Sequence, residues 1–365
     1  MKTKLYLSIA TLACLLCFGA TTGFAASTTD LERRIEALEA KNAMGSLSDR
    51  ITISGAIELD YSYDDDTSES DLSVGCVELG LEAQLHEYVT ANFLLNGEDL
   101  DKDDSDGVTW DEVFFTVAKD GVPVYFTGGK RCQPFGAYES LFINDPITQE
   151  LYEINATGVT LGFAQEEFMG LDLSVTAYKG TTLFGQIIDG EGAWENNPYA
   201  VATVEAKDTD EVNAYIVSAS LSPMEGLNLG IFYNSEPGNK DRNTTAGAMV
   251  HFEMAGFIAD AEYIGALERE KVGTKEYKEN AWTVSLGYQV MEPLLVAARY
   301  EAFDGDQDKK GDLENRYSIG GTYTLFANDA FACNLLGEYR HSEKDVAAGE
   351  DDTTDEYAAR LAIEF

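Results

Sequence analysis

From residue 51 onward the chain alternates between apolar and polar side chains. Ile51, Ile53, Gly55, Ile57, Leu59, Tyr61 and Tyr63 interleave with Thr52, Ser54, Ala56, Glu58, Asp60 and Ser62. A period of two puts the two sets on opposite faces of an extended strand. At the other end, Tyr357, Ala359, Leu361, Ile363 and Phe365 alternate in the same way with Ala358, Arg360, Ala362 and Glu364. One such segment alone would suit the edge of a soluble sheet with its polar face in water. The pattern instead recurs along nearly the whole chain, in stretches near the 9–11 residues that a strand with lipid outside and a wet lumen inside requires.

The other segments predicted as strands are Val77–Gln84, Tyr88–Asn96, Val108–Ala118, Val122–Lys130, Ile154–Ala164, Leu171–Tyr178 and Glu211–Ser222. Leu227–Asn234, Thr245–Phe252, Phe257–Gly265, Asn280–Val290, Leu294–Phe303, Arg316–Leu325 and Phe331–Arg340 complete them. The total is about sixteen, and an even number returns both ends to one side, as in bacterial single-chain barrels. A change of parity around Cys76 predicts a β-bulge. The connections alternate as well. Lys119-Asp120-Gly121, Glu253-Met254-Ala255-Gly256 and Met291-Glu292-Pro293 are short, whereas Asp99–Gly107, Lys179–Asp210, Gly265–Glu279, Asp304–Asn315 and His341–Asp355 are long and polar. Short turns on one side and long loops on the other are the asymmetry of an outer-membrane barrel between periplasm and exterior. Tyr61, Tyr63, Tyr233, Tyr263, Tyr288 and Tyr339 lie near segment ends, where amphipathic rings form the interfacial girdle. The expected fold is therefore all-β, a transmembrane antiparallel barrel over residues 50–365.

The first fifty residues read differently. Lys2 and Lys4 precede an apolar run from Leu5 to Phe18, and Gly23-Phe24-Ala25 offers small residues for cleavage. Residues 1–25 are predicted to be a secretory signal peptide, because the run is too short to span a bilayer. Cys14 and Cys17 leave a lipoprotein as the competing reading. No later stretch approaches about 18 uninterrupted apolar residues, so only a barrel could span the membrane. Thr29-Asp30-Leu31-Glu32 has capping-box spacing, and Leu31, Ile35, Leu38 and Asn42 follow at heptad steps. Residues 26–49 thus read as a short coiled-coil helix on the periplasmic side. Two heptads are too few to stand alone, so it either joins copies of itself in a homotrimer or is a loose leader.

The formal charge of −40 makes nucleic acid a very poor partner. The acid gathers between strands, at Asp64-Asp65-Asp66, Asp99 to Asp106, Asp304 to Asp312 and Glu343 to Glu356. These runs either solubilise loops or attract cations to a pore mouth. Asp101, Asp103, Ser105 and Glu112 have the spacing of an EF-hand-like loop, but Asp106 holds the position that needs glycine. Loosely bound Ca2+ in acidic loops is the only cofactor this suggests. Cys76, Cys132 and Cys333 form neither a disulfide framework nor a zinc motif. His86, His251 and His341 are the only histidines, and the sequence places no nucleophile beside them, so an enzyme is not expected.

Polar parity identifies the candidate pore lining. Arg299, Glu301, Glu338, Arg340, Arg360 and Glu364 fall on it late in the chain, and Glu58, Asp60, Glu78 and Glu82 early. Closure of last strand on first would join them into a charged wall. Opposed charges across a narrow lumen orient polar solutes, or else pair with each other and stiffen the wall. The stretch Gly128-Gly129-Lys130-Arg131-Cys132-Gln133-Pro134-Phe135-Gly136, with Asn144-Asp145-Pro146-Ile147-Thr148-Gln149-Glu150, breaks the alternation. Its prolines and basic pair suit a loop folded into the lumen, with Lys130, Arg131, Asp145 and Glu150 at a constriction; an external loop is the alternative.

The signal peptide and heptad helix, then Arg50-Ile51-Thr52-Ile53-Ser54-Gly55-Ala56-Ile57-Glu58 and Val77-Glu78-Leu79-Gly80-Leu81-Glu82-Ala83, resemble the LbtU family of outer-membrane siderophore porins. Asp111-Glu112-Val113-Phe114-Phe115, the Gly129 to Gly136 block and Asn144 to Leu151 carry the same resemblance. It implies a sixteen-strand barrel that imports ferric siderophores without an energised plug domain. The expected partners are outer-membrane lipid and a small polar solute. A general or cation-preferring porin, and a structural or adhesive barrel with acidic loops, are the alternatives.

Overall fold

The computed structural model describes residues 50–365 except 103–104, 106, 190–192, 195, 202–209, 308–309 and 346–352. The predicted leader and coiled-coil helix, and Asp103 of the calcium-like spacing, lie outside the described residues. The first strands are β1 (Ile51–Asp64), β2 (Glu69–His86), β3 (Val89–Glu98), β4 (Val108–Ala118), β5 (Val124–Cys132), β6 (Asn155–Gln165), β7 (Leu171–Lys179) and β8 (Val212–Met224). The rest are β9 (Leu227–Pro237), β10 (Arg242–Met254), β11 (Phe257–Glu268), β12 (Asn280–Met291), β13 (Leu294–Asp304), β14 (Leu313–Ala327), β15 (Ala332–Lys344) and β16 (Thr353–Glu364). Each pairs antiparallel with its sequence neighbours, and β16 returns to β1 to close the barrel. At the seam Asp60 stands opposite Arg360 and Tyr63 opposite Tyr357. Gly55 and Phe365 exchange backbone hydrogen bonds of 3.0 Å there.

Strand β2 starts well ahead of the expected Val77. Glu58 is paired with Cys76 but Asp60 with Ser73, so Val74 and Gly75 together oppose Leu59, which is the expected bulge. A Cβ on Gly75 would collide with the Asp60 carboxylate, so glycine is what lets that side chain lie across the bulge. Asp64 then closes a tight turn by accepting from the Thr67 N–H at 2.9 Å. The triple-aspartate run is therefore a turn and not a long loop.

Burial is inverted relative to a soluble domain. Ile53, Leu72, Leu161, Ile231, Leu286 and Ile319 are exposed on the outside, while Thr176, Ser285, Glu301 and Ser318 are buried within. Carbon faces outward because lipid is the solvent there, and the polar parity turns to the lumen. No helix among the described residues is long and apolar enough to cross a membrane.

The apolar core lies inside the barrel and is made by two connections. The β5–β6 connection carries helix α1 (Ile147–Tyr152), and the β7–β8 connection carries α2 (Thr182–Asp189) and α3 (Pro198–Val201). Phe135, Ile147, Leu151 and Tyr152 from the first meet Leu183, Phe184, Ile187, Trp194 and Tyr199 from the second. Both pack on the inward residues Ile216, Phe232, Ile264 and Phe303. The Lys179–Asp210 connection was expected to be an external polar loop. Its described part is instead a lumenal filling, because Leu183, Phe184, Ile187, Trp194 and Tyr199 have no other place to leave water. The fill packs against inward residues from β6 to β14, among them Ala156, Tyr178, Ala281 and Leu313. The inward charges at the β1–β16 seam stay partly exposed, Glu58 at 18% and Arg360 at 20%, and mark the open sector of the lumen.

Candidate functional site

The lumenal loop leaves the wall after Cys132, and a glycine shapes the last residues of β5 before it. Gly129 has φ of +142°, and a Cβ there would meet the Val113 carbonyl and Phe114, so any other residue would be strained. Just beyond it, Gln133 bonds the Ile154 carbonyl through its N–H at 2.8 Å and the Ala156 carbonyl through Nε2 at 2.6 Å. These bonds pin the two ends of the loop together.

The loop then crosses the barrel and is held by carboxylates of the far wall. Glu262 on β11 accepts from the Ala137 N–H at 2.7 Å. Glu338 on β15 accepts from the N–H groups of Ile143 and Asn144 at 3.1 and 3.0 Å and from Asn144 Nδ2 at 2.9 Å. Glu301 on β13 accepts from the Ile147 N–H at 2.6 Å, at the start of α1. Arg299 ties these clamps together. It meets Glu301 at 3.0 Å and Glu338 at 3.5 Å, donates to the Asn144 carbonyl at 2.9 Å and covers the Phe142 ring at 4.8 Å. A buried charge must be both paired and hydrogen-bonded. Both carboxylates are paired with Arg299 and accept loop N–H groups, while Arg299 Nε and Glu301 Oε2 face each other as an ion pair without a hydrogen bond.

The second connection is held by the same device. Glu236 on β9 accepts from Leu183 and Phe184 N–H groups at 3.0 and 2.8 Å and from Tyr178 Oη at 2.5 Å. Beneath it a wholly buried Arg269 and Glu279 pair with each other.

Toward the open sector the charges become accessible. Asp145 and Glu150 are exposed on the loop. Glu150 meets Arg316 at 3.0 Å and Arg340 at 3.9 Å, and Arg340 also makes bonds of 2.6 and 2.9 Å to Glu356. Arg360 is held by Asp60 through bonds of 2.8 and 2.7 Å and by Glu58 at 2.9 Å. Enclosure by the wall, and then the Glu153 and Glu150 carboxylates, push Asp145 up from 3.8 to about 6.

The structure separates the candidate lining residues from one another. The basic pair splits. Arg131 faces inward over the Phe114 ring at 5.7 Å. Lys130 does not line the pore: it pairs in register with the outward Val113, and its Nζ bonds the Trp110 carbonyl at 2.8 Å. The slip has a simple cause, since consecutive residues on a strand point to opposite faces. Arg299, Glu301 and Glu338 have the inward parity expected of them, yet they are covered by the loop and act as its clamps, with the Arg299 and Glu301 side chains 0% exposed. Glu58, Asp60, Glu78, Glu82 and Glu364 sit on the inward parity of β1, β2 and β16. Two described members of the calcium-like spacing serve separate backbone groups. Asp101 accepts from the Val74 N–H at 2.9 Å and Glu112 from the Cys132 N–H at 3.2 Å, and no metal-holding group of three occurs among the described residues. His251 does have an acid beside it, Asp260 at 2.5 Å. Sequence reasoning missed Glu236, Glu262 and Arg316. Glu262 shares the polar parity of β11 with Asp260, and that signal could have found it.

A profile of the Gram-negative porin family matches residues 10–346. Among curated proteins, a UPF0422 protein of Coxiella burnetii is 23% identical over 324 residues, covering 86% of this chain and 69% of that one. A UPF0422 protein of Legionella pneumophila is 23% identical over 217 residues, and the match spans 40% of its length. Three solved structures, each matched over 86% of this chain, share the fold. OmpF of Salmonella typhi, in complex with daunomycin, has a TM-score of 0.61 at 13% identity over 97% of its chain. An anion-selective porin from Comamonas acidovorans has 0.58 at 11% over 98%. The trimer form of OmpT, an outer membrane protein of Vibrio cholerae, has 0.56 at 12% over 99%.

Proposed function

We propose that this chain, which belongs to the Gram-negative porin family, is a passive diffusion channel favouring cations and uncharged polar solutes. Family and barrel together mark an outer-membrane channel rather than an enzyme. One observation carries the preference for cations. Arg299, Arg316, Arg340 and Arg360 are each engaged by carboxylates. Glu78, Glu82, Glu98, Glu112, Asp145 and Glu153, by contrast, have no salt bridge among the described residues. Against these six acids stands Arg131, an inward base that makes no salt bridge among the described residues, so the surplus in the lumen is negative and concentrates cations while repelling anions.

The short-turn side, where β1 begins and β16 ends, is read as periplasmic, with residues 1–25 as a cleaved leader. A trimer gathered by the helix of residues 26–49 is the corresponding proposal for assembly. Ferric siderophore import, implied by the LbtU resemblance, fits this lumen only for a neutral or cationic chelate, because a polycarboxylate complex would meet the acid within about a Debye length, roughly 8 Å. Uptake of labelled iron chelates of different charge into vesicles carrying the protein separates these cases. Entry of an anionic chelate as fast as a cationic one would overturn the preference.

Two smaller tests arise from the geometry. Asp145 titrates near pH 6, above the usual carboxylate range, so it takes up a proton as the medium is acidified through that value. The cation preference should therefore weaken between pH 7 and pH 5, around a midpoint of about 6. Asp145→Asn should remove the part of that change centred near pH 6, as read from reversal potentials. Arg131→Glu should lower anion permeability further, whereas Lys130→Glu should leave permeation unchanged because its side chain starts on the outer face.

A further inference from the structure

The outer face of the barrel carries its charges unevenly. Arg299, Arg316, Arg340 and Arg360 turn to the lumen, but Lys130, Lys179 and Arg242 stand on the outward parity of β5, β7 and β10. All three lie toward the long-loop end of their strands, and they form one row. Lys130 is in register with Thr157 of β6, and the next residue, Gly158, is in register with Tyr178, so Lys179 falls beside Thr157. Neighbouring strands are about 4.8 Å apart, so the two lysines flank Thr157 with their backbones about 10 Å from each other. Thr157 is exposed between them. Lys179 is in register with Val212 of β8, and the carbonyl of the following Asn213 accepts from the Arg242 guanidinium at 3.0 Å.

The surroundings of these bases fix their depth. Lys130 Nζ donates to the carbonyl of Trp110 at 2.8 Å, and the Trp110 ring is exposed on the outside. Arg242 lies over the exposed Tyr215 ring at 5.3 Å and is held by the Ser235 hydroxyl and carbonyl at 2.7 Å each, not by a carboxylate. Tryptophan and tyrosine mark the headgroup level of a bilayer, and long basic side chains reach up to it. Deeper on the neighbouring strands, Val159, Leu161, Val175 and Val217 are exposed on the lipid side. The acids near the row have partners of their own. Asp210 pairs with Lys179, Glu211 accepts from Asn213 Nδ2 at 3.4 Å, and Asp111, which feels the Lys130 charge, accepts from Asn155 Nδ2 at 2.6 Å. Glu268, Asp304, Glu343 and Asp355 have outward parity at the same end, but on β11 to β16.

We propose that this row is a docking site for a phosphate-bearing lipid of the leaflet on the long-loop side. The headgroup phosphate takes charge-assisted hydrogen bonds from Lys130 and Lys179, with the Thr157 hydroxyl between them, and displaces Asp210 from Lys179. Arg242 extends the basic row along the same headgroup level. The acyl chains lie against the valines and leucine below. A chain of charge −40 repels anionic lipid elsewhere, so the row supplies an arc of attraction. A soluble anion would match the bases but leave the apolar strip beneath them unused. The site does not depend on which solute the channel passes.

Spin-labelled lipids in phosphatidylcholine bilayers carrying the full chain test it. At low salt, labelled phosphatidic acid should be enriched roughly threefold over labelled phosphatidylcholine in the motionally restricted shell, because basic side chains attract anionic headgroups. The enrichment should fall away at about 1 M salt, where the Debye length is about 3 Å, a comparison that needs only the unaltered chain. It should also be lost when Lys130→Gln, Lys179→Gln and Arg242→Gln are combined, with strand content and assembly size unchanged. Equal restriction of the two lipids at low salt would overturn the proposal, as would a preference that survives the triple substitution. A smaller assembly in the triple variant would overturn it too, by marking the row as a contact between copies of this chain.

Discussion

Glu338→Ala is expected to free the lumenal loop, raising single-channel conductance and open-channel noise together. Glu338 is 5% exposed and takes three hydrogen bonds from Ile143 and Asn144. Its loss strands those donors and leaves Arg299 with Glu301 as its remaining carboxylate. Breaking one partner of a buried pair typically costs about 3–5 kcal/mol, and each buried donor left alone about 1–3 kcal/mol. The barrel ladder does not pass through this side chain, so the cost falls on docking of the loop. Glu338→Gln keeps an acceptor for the amides and should give a smaller change. Conductance equal to that of the unaltered protein would show that the loop is held by its apolar contacts alone.

Removing charge from the open sector should have the second large effect. Glu78→Gln, Glu112→Gln and Asp145→Asn in one chain keep shape and hydrogen-bonding capacity while deleting three negative charges. A unit charge about 4 Å from a passing ion is worth about 1 kcal/mol even in bulk water, so three together should lower the cation-to-anion permeability ratio by roughly tenfold or more. The effect should shrink as ionic strength rises and the Debye length shortens. A ratio unchanged at low salt would place the selective step elsewhere.

The barrel was legible because the physics that builds it is periodic. Ile51 to Tyr63 and Tyr357 to Phe365 carry the alternation openly, and their pairing at the seam follows from it. The loop around Gly129 to Glu150 was legible as an interruption, and its course into the lumen agrees with the turn chemistry that singled it out. What parity could not reveal was coverage. Arg299 and Arg360 share the same inward parity, yet one lies under the loop and the other faces the lumen, a difference decided by residues far away in sequence. The β7–β8 connection reads as polar from the acids spread between Asp189 and Asp210. The apolar side chains at 183, 184, 187 and 188 have the spacing of one helical face, and that weaker signal marked a segment that needed burial.

The most direct test of the central claim is the reversal potential of the purified protein in a planar bilayer under a potassium chloride gradient at neutral pH. An open, steadily conducting channel with potassium favoured over chloride is the expected result. A membrane that stays closed, or a potential of the sign that marks chloride as the more permeant ion, would contradict the account.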